Sequence, residues 1–147
     1  MGSGFWVLGS GETASGPFLS GKTMLMTNAV KSFHDLVAWQ QAMELVTEIY
    51  RVSQKFPKEE MFGLTSQIRR AAVSIPSNIA EGRGKSSTGE LQQFLYHARG
   101  SLAEVETQLL IAINLGYLQK SEVTNIIELI SRTGRLLHGL LSAIKKK

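Results

Sequence analysis

Cysteine is absent from this sequence. Its absence excludes disulfides, thiolate metal ligands and cysteine nucleophiles. It also fits a reducing compartment, and we expect the protein to be cytoplasmic. Long apolar runs are lacking too: the longest, Leu109 to Leu115, is interrupted by Asn114, whereas a membrane-spanning helix needs about 20 apolar residues. The first residues do not combine a basic segment with an apolar core, so no signal peptide is predicted.

A catalytic or metal-binding constellation is also lacking. His34, His97 and His138 are far apart in the sequence and have no ligand partners at metal-binding spacing. Glu104 and Glu106 lie on different faces of a predicted helix, and no Glu-x-x-His motif of a di-iron bundle is present. We therefore predict a non-enzymatic protein without a metal or cofactor.

The composition is that of one globular domain with a moderate basic excess. Of the 147 residues, 43% are hydrophobic and 19% are charged, which argues against global disorder. The net charge of +4 favours an anionic partner such as RNA, DNA or an acidic protein surface. The alternative is that these charges only provide solubility, and the net charge alone does not separate the two interpretations.

Residues 1–30 differ from the rest of the chain. They are rich in glycine and serine and carry one charge of each sign, Glu12 and Lys22. We predict a leader, tag or upstream extension over residues 1–30 and one helical domain over residues 31–147. The segment Gly16–Thr23 matches the phosphate-loop pattern G-x-x-x-x-G-K-[ST]. Such a loop needs a strand directly before it and a parallel sheet around it, which the sequence does not offer, so we interpret the match as chance.

Apolar residues recur at three- and four-residue steps in four later segments, which predicts four amphipathic helices. Short links between helices of similar length predict an antiparallel up-down-up-down four-helix bundle. Ser32 or Asp35 can cap the first helix, and Ser87 with Glu90 has the spacing of a capping box. The predicted helices run from Leu36 to Lys55, from Leu64 to the glycines at 82 and 84, from Ser87 to Gly116 and from Ser121 to Ile144.

Each predicted helix has an apolar stripe. In the first helix Leu45, Ile49 and Val52 either widen the stripe or form a second face, and a second face would favour oligomerisation. We expect Trp39 and Tyr50 to be core aromatics. The predicted stripes are Leu36, Trp39, Met43, Val46 and Tyr50; Leu64, Ile68, Ala71 or Ala72, Ile75 and Ile79; Leu91, Leu95, Ala98, Leu102, Val105, Leu109 and Ala112; and Val123, Ile127, Ile130, Gly134, Leu137, Leu141 and Ile144.

The stretch from Gly63 to Lys85 holds the most unusual residues of the chain. Pro76 lies inside an apolar stripe and predicts a kink or a local break. Ser74, Ser77 and Asn78 either satisfy the backbone groups that this proline frees or line a polar pocket. Gly82 and Gly84 are predicted to end the helix in a left-handed conformation.

Basic residues concentrate around the end of this stretch. Five Lys or Arg residues but only two acids, Glu81 and Glu90, lie between positions 69 and 99. We predict a nucleic-acid-binding patch, since the guanidinium fork of arginine suits phosphate. The alternative is that some of these residues, Arg70 in particular, pair with Glu81, Glu104 or Glu106. The predicted binding residues are Arg69, Arg83, Lys85 and Arg99.

Several motifs, in order and at the expected spacing, resemble the bacterial 23S ribosomal RNA intervening-sequence family. The resemblance covers Ser32 to Ile144 and leaves the leader unexplained. The motifs are Phe33–Trp39 (FHDLVAW), Phe56–Glu60 (FPKEE), Gly63–Ala71 (GLTSQIRRA), Ser74–Gly82 (SIPSNIAEG) and Leu102–Leu109 (LAEVETQL).

The resemblance implies a four-helix bundle that assembles into a ring-like homopentamer. It also implies a relation to the accessory variability determinant of diversity-generating retroelements, a basic pentameric barrel that engages reverse transcriptase and RNA. We therefore expect an oligomeric RNA-associated bundle or adaptor that binds itself, RNA or DNA, and a nucleic-acid enzyme such as a reverse transcriptase. The alternative is a purely structural oligomer or protein-interaction scaffold.

Overall fold

The structure, a computed structural model, describes Phe33 and residues 36–145. This part of the chain contains four α-helices and no strand, which confirms the predicted all-α class. The helices are α1 (Val37–Ser53), α2 (Leu64–Arg83), α3 (Thr88–Asn114) and α4 (Thr124–Lys145), and short 3₁₀ helices at Lys58–Glu60 and Lys120–Glu122 precede α2 and α4. The leader with its phosphate-loop match, the caps predicted at Ser32 or Asp35, and His34 lie outside the described residues.

The four helices share one apolar core. Helix α1 packs on α2 and α4, and α3 packs on the same two helices, so α1 and α3 lie at opposite corners. Burying one large aliphatic side chain contributes about 1.5–3 kcal/mol, so this core is the main source of stability. Its largest fully buried side chains are Leu45, Ile49, Val52, Ile68, Ile75, Ile79, Leu95, Val105, Leu109, Leu118, Ile126 and Leu137.

The buried stripe of α1 is the second of the two apolar rows that the sequence offers. Leu45, Ile49 and Val52 are almost completely buried. Trp39 is buried as predicted, but Tyr50 is 41% exposed, so the prediction of a core tyrosine was wrong. Both of these adjacent rows are apolar enough to be buried. Packing against α2 and α4 buries the row that lies one position before the predicted stripe, so that Leu45 is buried in place of Val46 and Ile49 in place of Tyr50.

The predicted stripe of α4 is buried at Val123, Ile130, Leu137 and Leu141 but not at Ile127. The 3₁₀ helix Lys120–Glu122 delays α4 to Thr124, three residues after the predicted start. Ile126 is fully buried, whereas Ile127, which was assigned to the stripe, is 39% exposed. In α3, where one row is clearly more apolar than its neighbours, the buried positions from Leu95 to Ala112 agree with the predicted rhythm.

Pro76 does not break α2. The helix is continuous from Leu64 to Arg83. Of the two effects predicted for Pro76, the local break was wrong and the kink stays a prediction. Asn78 donates from Nδ2 to the carbonyl oxygen of Ser74 at 2.8 Å and to Ser74 Oγ at 2.9 Å. Ser74 Oγ lies 2.8 Å from Ser101 Oγ of α3. Ser74 and Asn78 therefore form a polar link between α2 and α3, and exposed Ser77 takes no part in these three hydrogen bonds.

The glycines near the end of α2 act differently from the prediction. Gly84 has φ −84° and ψ −4°, which is right-handed, and Gly82 lies within the helix, so the left-handed exit was wrong. A Cβ on Gly82 would lie 2.8 Å from Phe94 Cβ. Gly82 is therefore needed because α2 and α3 approach each other closely there.

Local sequence sets both ends of α3. Ser87 Oγ accepts a hydrogen bond from the Glu90 amide at 3.1 Å, which confirms the predicted cap. At the other end Gly116 has φ +81°. The Tyr117 amide donates to Ala112 O at 2.9 Å and the Gly116 amide to Ile113 O at 3.0 Å, the pair of hydrogen bonds that ends a helix in a left-handed glycine.

Three carboxylates stabilise the end of the molecule where α1 ends and α2 and α4 begin. The Glu60 carboxylate accepts a hydrogen bond from the Leu64 amide at 2.9 Å and another from the Tyr117 hydroxyl at 2.8 Å. Both hydrogen bonds lower the pKa of Glu60, and the bond from the amide has the larger effect. Hydrogen bonds from Arg51 to Glu48, and from the Gln119 amide and Lys55 to Glu122, lower the pKa values of those two carboxyls. Glu60 caps α2 in place of a side chain at Gly63.

Acid should therefore weaken this end of the molecule first. A carboxyl whose pKa is lower in the folded state stabilises the fold above its unfolded pKa, and that contribution is lost as the pH falls through the folded value. We expect Glu60→Gln to lower the melting temperature at pH 7. Below pH 4.5, the ordinary pKa of the carboxyl, the melting temperature of this variant should fall less steeply with decreasing pH than that of the unmodified protein. Thermal unfolding followed by circular dichroism measures both effects. Glu59→Gln is the matched control. If it changed the pH dependence of the melting temperature in acid as much as Glu60→Gln does, the assignment of this effect to Glu60 would be contradicted.

Candidate nucleic-acid interface

Two of the four predicted binding residues lie on aromatic rings of α3. The ammonium of Lys85 lies 5.4 Å from the ring centroid of Phe94. The guanidinium of Arg99 lies 4.9 Å from the ring centroid of Tyr96. Both cations are exposed and both rings are half-buried. Contact with a fixed ring restricts a long side chain while its charge stays in solvent, so these two pairs present positioned charge to a phosphate.

Arg83 is close to Lys85 in the chain but has a different environment. It is half-buried and lines an apolar cavity of about 330 Å³ between the start of α3 and the end of α4. Leu91, Leu95 and Ile144 are among the other lining residues. Its aliphatic stem therefore covers apolar surface, as the stems of long basic side chains often do.

Arg69 belongs to another part of the molecule. Its Nε donates to Ser53 Oγ at 2.8 Å and its Nη2 to Tyr50 O at 3.3 Å, and the guanidinium lies 4.7 Å from the Tyr50 ring centroid. At about 1.5 Å of rise per residue, the 14 positions between Arg69 and Arg83 separate them by roughly 20 Å along α2. Arg69 therefore does not share a local patch with Arg83 and Lys85.

Arg70 does not form the ion pair with Glu81, Glu104 or Glu106 that the alternative to a nucleic-acid-binding patch predicts. Within residues 36–145 the two ion pairs join Arg51 to Glu48 and Lys55 to Glu122, the second at 2.6 Å. Exposed Arg70 and Glu104 line the same cleft of about 270 Å³ between α2 and α3 without an ion pair. The specific expectation that Arg70 pairs with an acid was therefore wrong for the described residues.

A surface that sequence reasoning missed lies between α1 and α2. A groove of about 550 Å³ is lined by twelve residues, among them Tyr50, Met61 and Val73 with the cations Lys58, Arg69 and Arg70. Phe62, next to Met61, is 93% exposed. An apolar pair, Met61-Phe62, within a polar turn between two helices was the available signal, because turn residues are usually polar.

The two histidines that the structure describes are both exposed. His97 is exposed, with its ring edge-on to Phe94 at a centroid distance of 6.0 Å, and His138 is exposed on α4. Between Leu36 and Lys145 no group of three or more His, Cys, Asp or Glu side chains could hold a metal ion. No helix in the same range is long and apolar enough to cross a membrane.

The fold is that of a small all-α protein with one apolar core, with exposed Lys85 at the junction of α2 and α3 and exposed Arg99 further along α3. The chain belongs to the 23S rRNA-intervening sequence protein family, whose model matches residues 34–139. The match covers most of the described part of the chain and leaves residues 1–30 outside it. No curated protein matches the sequence.

Proposed function

We propose that the protein is a non-enzymatic, oligomeric four-helix bundle that associates with RNA and serves as an adaptor. The observation that carries this proposal is the pair of exposed cations, Lys85 and Arg99, held on aromatic rings of α3, in a chain whose family is named for an insertion in ribosomal RNA. Half-buried Arg83 lies two residues before Lys85, at the end of α2, and Arg69 lies roughly 20 Å away along α2.

Side-chain contacts support an up-down-up-down arrangement of the bundle. Positions along α1 and the turn after it rise as their contacts along α4 and the segment before it fall. The contacts are Gln41 with Arg132 at 2.9 Å, Glu48 with Asn125 at 3.4 Å, and Lys55 with Glu122 at 2.6 Å. Contacts between α2 and α3 follow the same pattern, with Ser74 near Ser101 and Gln67 near Gln108. Antiparallel neighbours joined by short links are the usual form of such a bundle.

The resemblance to pentameric relatives favours a homopentameric ring and a reverse transcriptase or a related enzyme as the recruited partner. A ring would repeat Lys85 and Arg99 once in each subunit. Repetition raises avidity for one RNA molecule without any new contact, as long as the RNA can reach several subunits.

Direct RNA binding is tested with a transcript of a 23S rRNA intervening sequence as the probe. We expect the logarithm of the binding constant to fall linearly with the logarithm of salt concentration. Lys85→Glu/Arg99→Glu should weaken binding at least tenfold at 100 mM salt and make the salt slope shallower. Fluorescence anisotropy measures both quantities, and Arg83→Gln should have a smaller effect of the same sign.

The control is Lys120→Glu/Arg135→Glu, which makes the same change in net charge on exposed residues of the Lys120–Glu122 segment and α4. Binding by this variant should stay within about threefold of the unmodified protein. Equal losses in both double variants would mean that only net charge matters, and an absence of salt-dependent binding by the unmodified protein would refute direct RNA association.

The second candidate function is a protein-interaction scaffold that does not bind nucleic acid. Exposed apolar side chains favour it: Phe62, Met61 and Leu115 are each more than half exposed, and exposed apolar surface of this kind marks interaction sites. A scaffold would assemble normally and ignore the RNA probe at every salt concentration. The RNA titration above therefore separates the two functions.

A further inference from the structure

A half-buried cation without a carboxylate partner lies in the groove between α1 and α2. Arg69 donates from Nε to Ser53 Oγ at 2.8 Å and from Nη2 to Tyr50 O at 3.3 Å. A guanidinium has five N–H donors, so three of them remain for another partner. Neither of the ion pairs within residues 36–145 includes Arg69. Because a charge withdrawn from water is costly without a counter-charge, this position favours a bound anion.

The guanidinium of Arg69 is held in one position before any ligand binds. It lies 4.7 Å from the ring centroid of Tyr50. Ser53, the acceptor for its Nε, is 2% exposed and is therefore fixed by the core. A donor that is already positioned loses less side-chain entropy on binding than a free surface arginine does. Arg69 is thus a preorganised donor toward an anion.

Apolar surface surrounds this donor, and further cations line the same groove. Its volume of about 550 Å³ lies within the usual range of small-molecule sites, ~300–1,000 Å³. Every charged residue that lines it is a cation. The apolar side chains of Tyr50, Met61 and Val73 are 40–54% exposed. We call this surface the basic groove and define it by Lys58, Arg69, Arg70, Tyr50, Met61 and Val73.

The acids nearest to the basic groove in the sequence do not neutralise it. Glu59 and Glu60 follow Lys58 in the turn between α1 and α2, but neither lines the groove. The Glu60 carboxylate instead accepts from the Leu64 amide and the Tyr117 hydroxyl. The groove therefore keeps its positive charge for a ligand.

We propose that the basic groove binds a small amphipathic anion, an apolar body that carries a carboxylate or a similar head group with two acceptor oxygens. The three remaining N–H donors of Arg69 lie on its two terminal nitrogens, the pair that binds two oxygens of one head group. The apolar body covers Met61 and Val73. Exposed Lys58 and Arg70 raise the local concentration of anions. This binding function goes beyond RNA association and does not depend on it.

The lining of the basic groove favours such a ligand over nucleic acid. Single-stranded bases stack on open faces of aromatic rings, and the Arg69 guanidinium already lies over the Tyr50 ring. A phosphate backbone has no use for exposed methionine and valine. Met61 has a flexible side chain that adapts to apolar groups of different shapes. The combination of one positioned cation and adaptable apolar surface suits an amphipathic anion.

The first test uses the fluorescent probe anilinonaphthalene sulfonate, which has one sulfonate on an apolar body and reports apolar binding sites. Phenylnaphthylamine, which has the same rings without the sulfonate, is the uncharged counterpart. We expect saturable binding of about one sulfonate probe per chain and binding of the uncharged probe that is at least about tenfold weaker. Equal affinities would show that only apolar surface matters and would overturn the proposal.

Replacement of Arg69 should affect the two probes differently. Arg69→Gln should weaken binding of the sulfonate probe at least about tenfold and change that of the uncharged probe less than about twofold. Val73→Ser should weaken binding of both probes. The control Arg132→Gln, at an exposed position of α4, changes the net charge equally and should leave both affinities within about twofold. An equal loss in this control would overturn the proposal.

A second pair of variants avoids the contacts that Arg69 makes between α1 and α2. Circular dichroism shows whether Arg69→Gln is folded. Lys58→Gln/Arg70→Gln changes two exposed positions and should weaken binding of the sulfonate probe at least about threefold. Its control is Arg132→Gln/Arg135→Gln on α4. Equal affinities in the two double variants would contradict a ligand in the basic groove.

Competition experiments with the full chain identify the occupant. Decanoate should displace the sulfonate probe, and decanol, which has the same chain without the carboxylate, should not. Displacement by the RNA transcript but not by decanoate would assign the groove to nucleic acid and overturn the proposal. The mass from light scattering should stay the same when decanoate is added. A smaller mass would assign the groove to a contact between chains and would also overturn it.

Discussion

Replacement of Ile126 by alanine is expected to lower the free energy of unfolding by about 2–5 kcal/mol, the range for truncating a buried isoleucine. Ile126 is fully buried in α4, in the shared core. The substitution removes three carbon atoms from a site where close packing prevents the neighbours from closing the cavity completely. Urea unfolding followed by circular dichroism, analysed at constant m, measures the loss.

Ile127→Ala is the matched control, because it makes the same chemical change one position along the same helix. Ile127 is 39% exposed, and truncating it should cost less than about 1 kcal/mol, as is usual for partly exposed positions. The apolar rhythm of the sequence predicts the reverse order, because it assigns Ile127 to the buried stripe. A larger loss at Ile127 than at Ile126 would therefore contradict the observed burial of Ile126 and exposure of Ile127.

This pair shows how far the sequence determines the fold. The number of helices, their approximate bounds and the all-α class follow from apolar spacing and from local signals such as Ser87 and Gly116. In α3 the correct row could be predicted because one row dominates. In α1 two neighbouring rows are apolar, and only the position of the other helices decides which of them is buried. In α4 the predicted row is buried at Val123, Ile130, Leu137 and Leu141, and Ile127 is its exposed member.

The candidate site was less predictable because it depends on which helices meet. The sequence shows that cations concentrate between Arg69 and Arg99. The rise per residue of α2, however, places Arg69 far from Arg83 along the helix axis. Contacts of Lys85 with Phe94 and of Arg99 with Tyr96 depend on side-chain packing that periodicity does not describe. The groove between α1 and α2 was missed because its lining comes from two helices and the turn between them.

Gly82 is a second position where the tertiary structure overrides a local signal, here the preference of a helix for alanine over glycine. Gly82→Ala is expected to lower the free energy of unfolding by about 1–3 kcal/mol, the cost of overpacking. In an isolated helix the same change should stabilise by up to about 1 kcal/mol. Here the new Cβ would lie 2.8 Å from Phe94 Cβ and 3.3 Å from Leu91 Cδ1. Phe94 Cβ is fixed to the backbone of α3, so the contact is relieved only if the two helices move apart.

Gly139→Ala in α4 is the control, since no heavy atom lies within 4 Å of its added Cβ. It should raise the free energy of unfolding by about 0.5–1 kcal/mol, because alanine loses less backbone entropy than glycine in a helix. Identical substitutions in two helices should thus change stability in opposite directions. If Gly82→Ala stabilised the protein as Gly139→Ala does, Gly82 would be an ordinary helical glycine, and the close approach of α2 and α3 would be wrong. A loss at Gly82 alone would instead locate a close contact of α2 and α3 directly beside Arg83 and Lys85. There Phe94 packs against Gly82 and lies under the Lys85 ammonium, the charge that the RNA proposal requires.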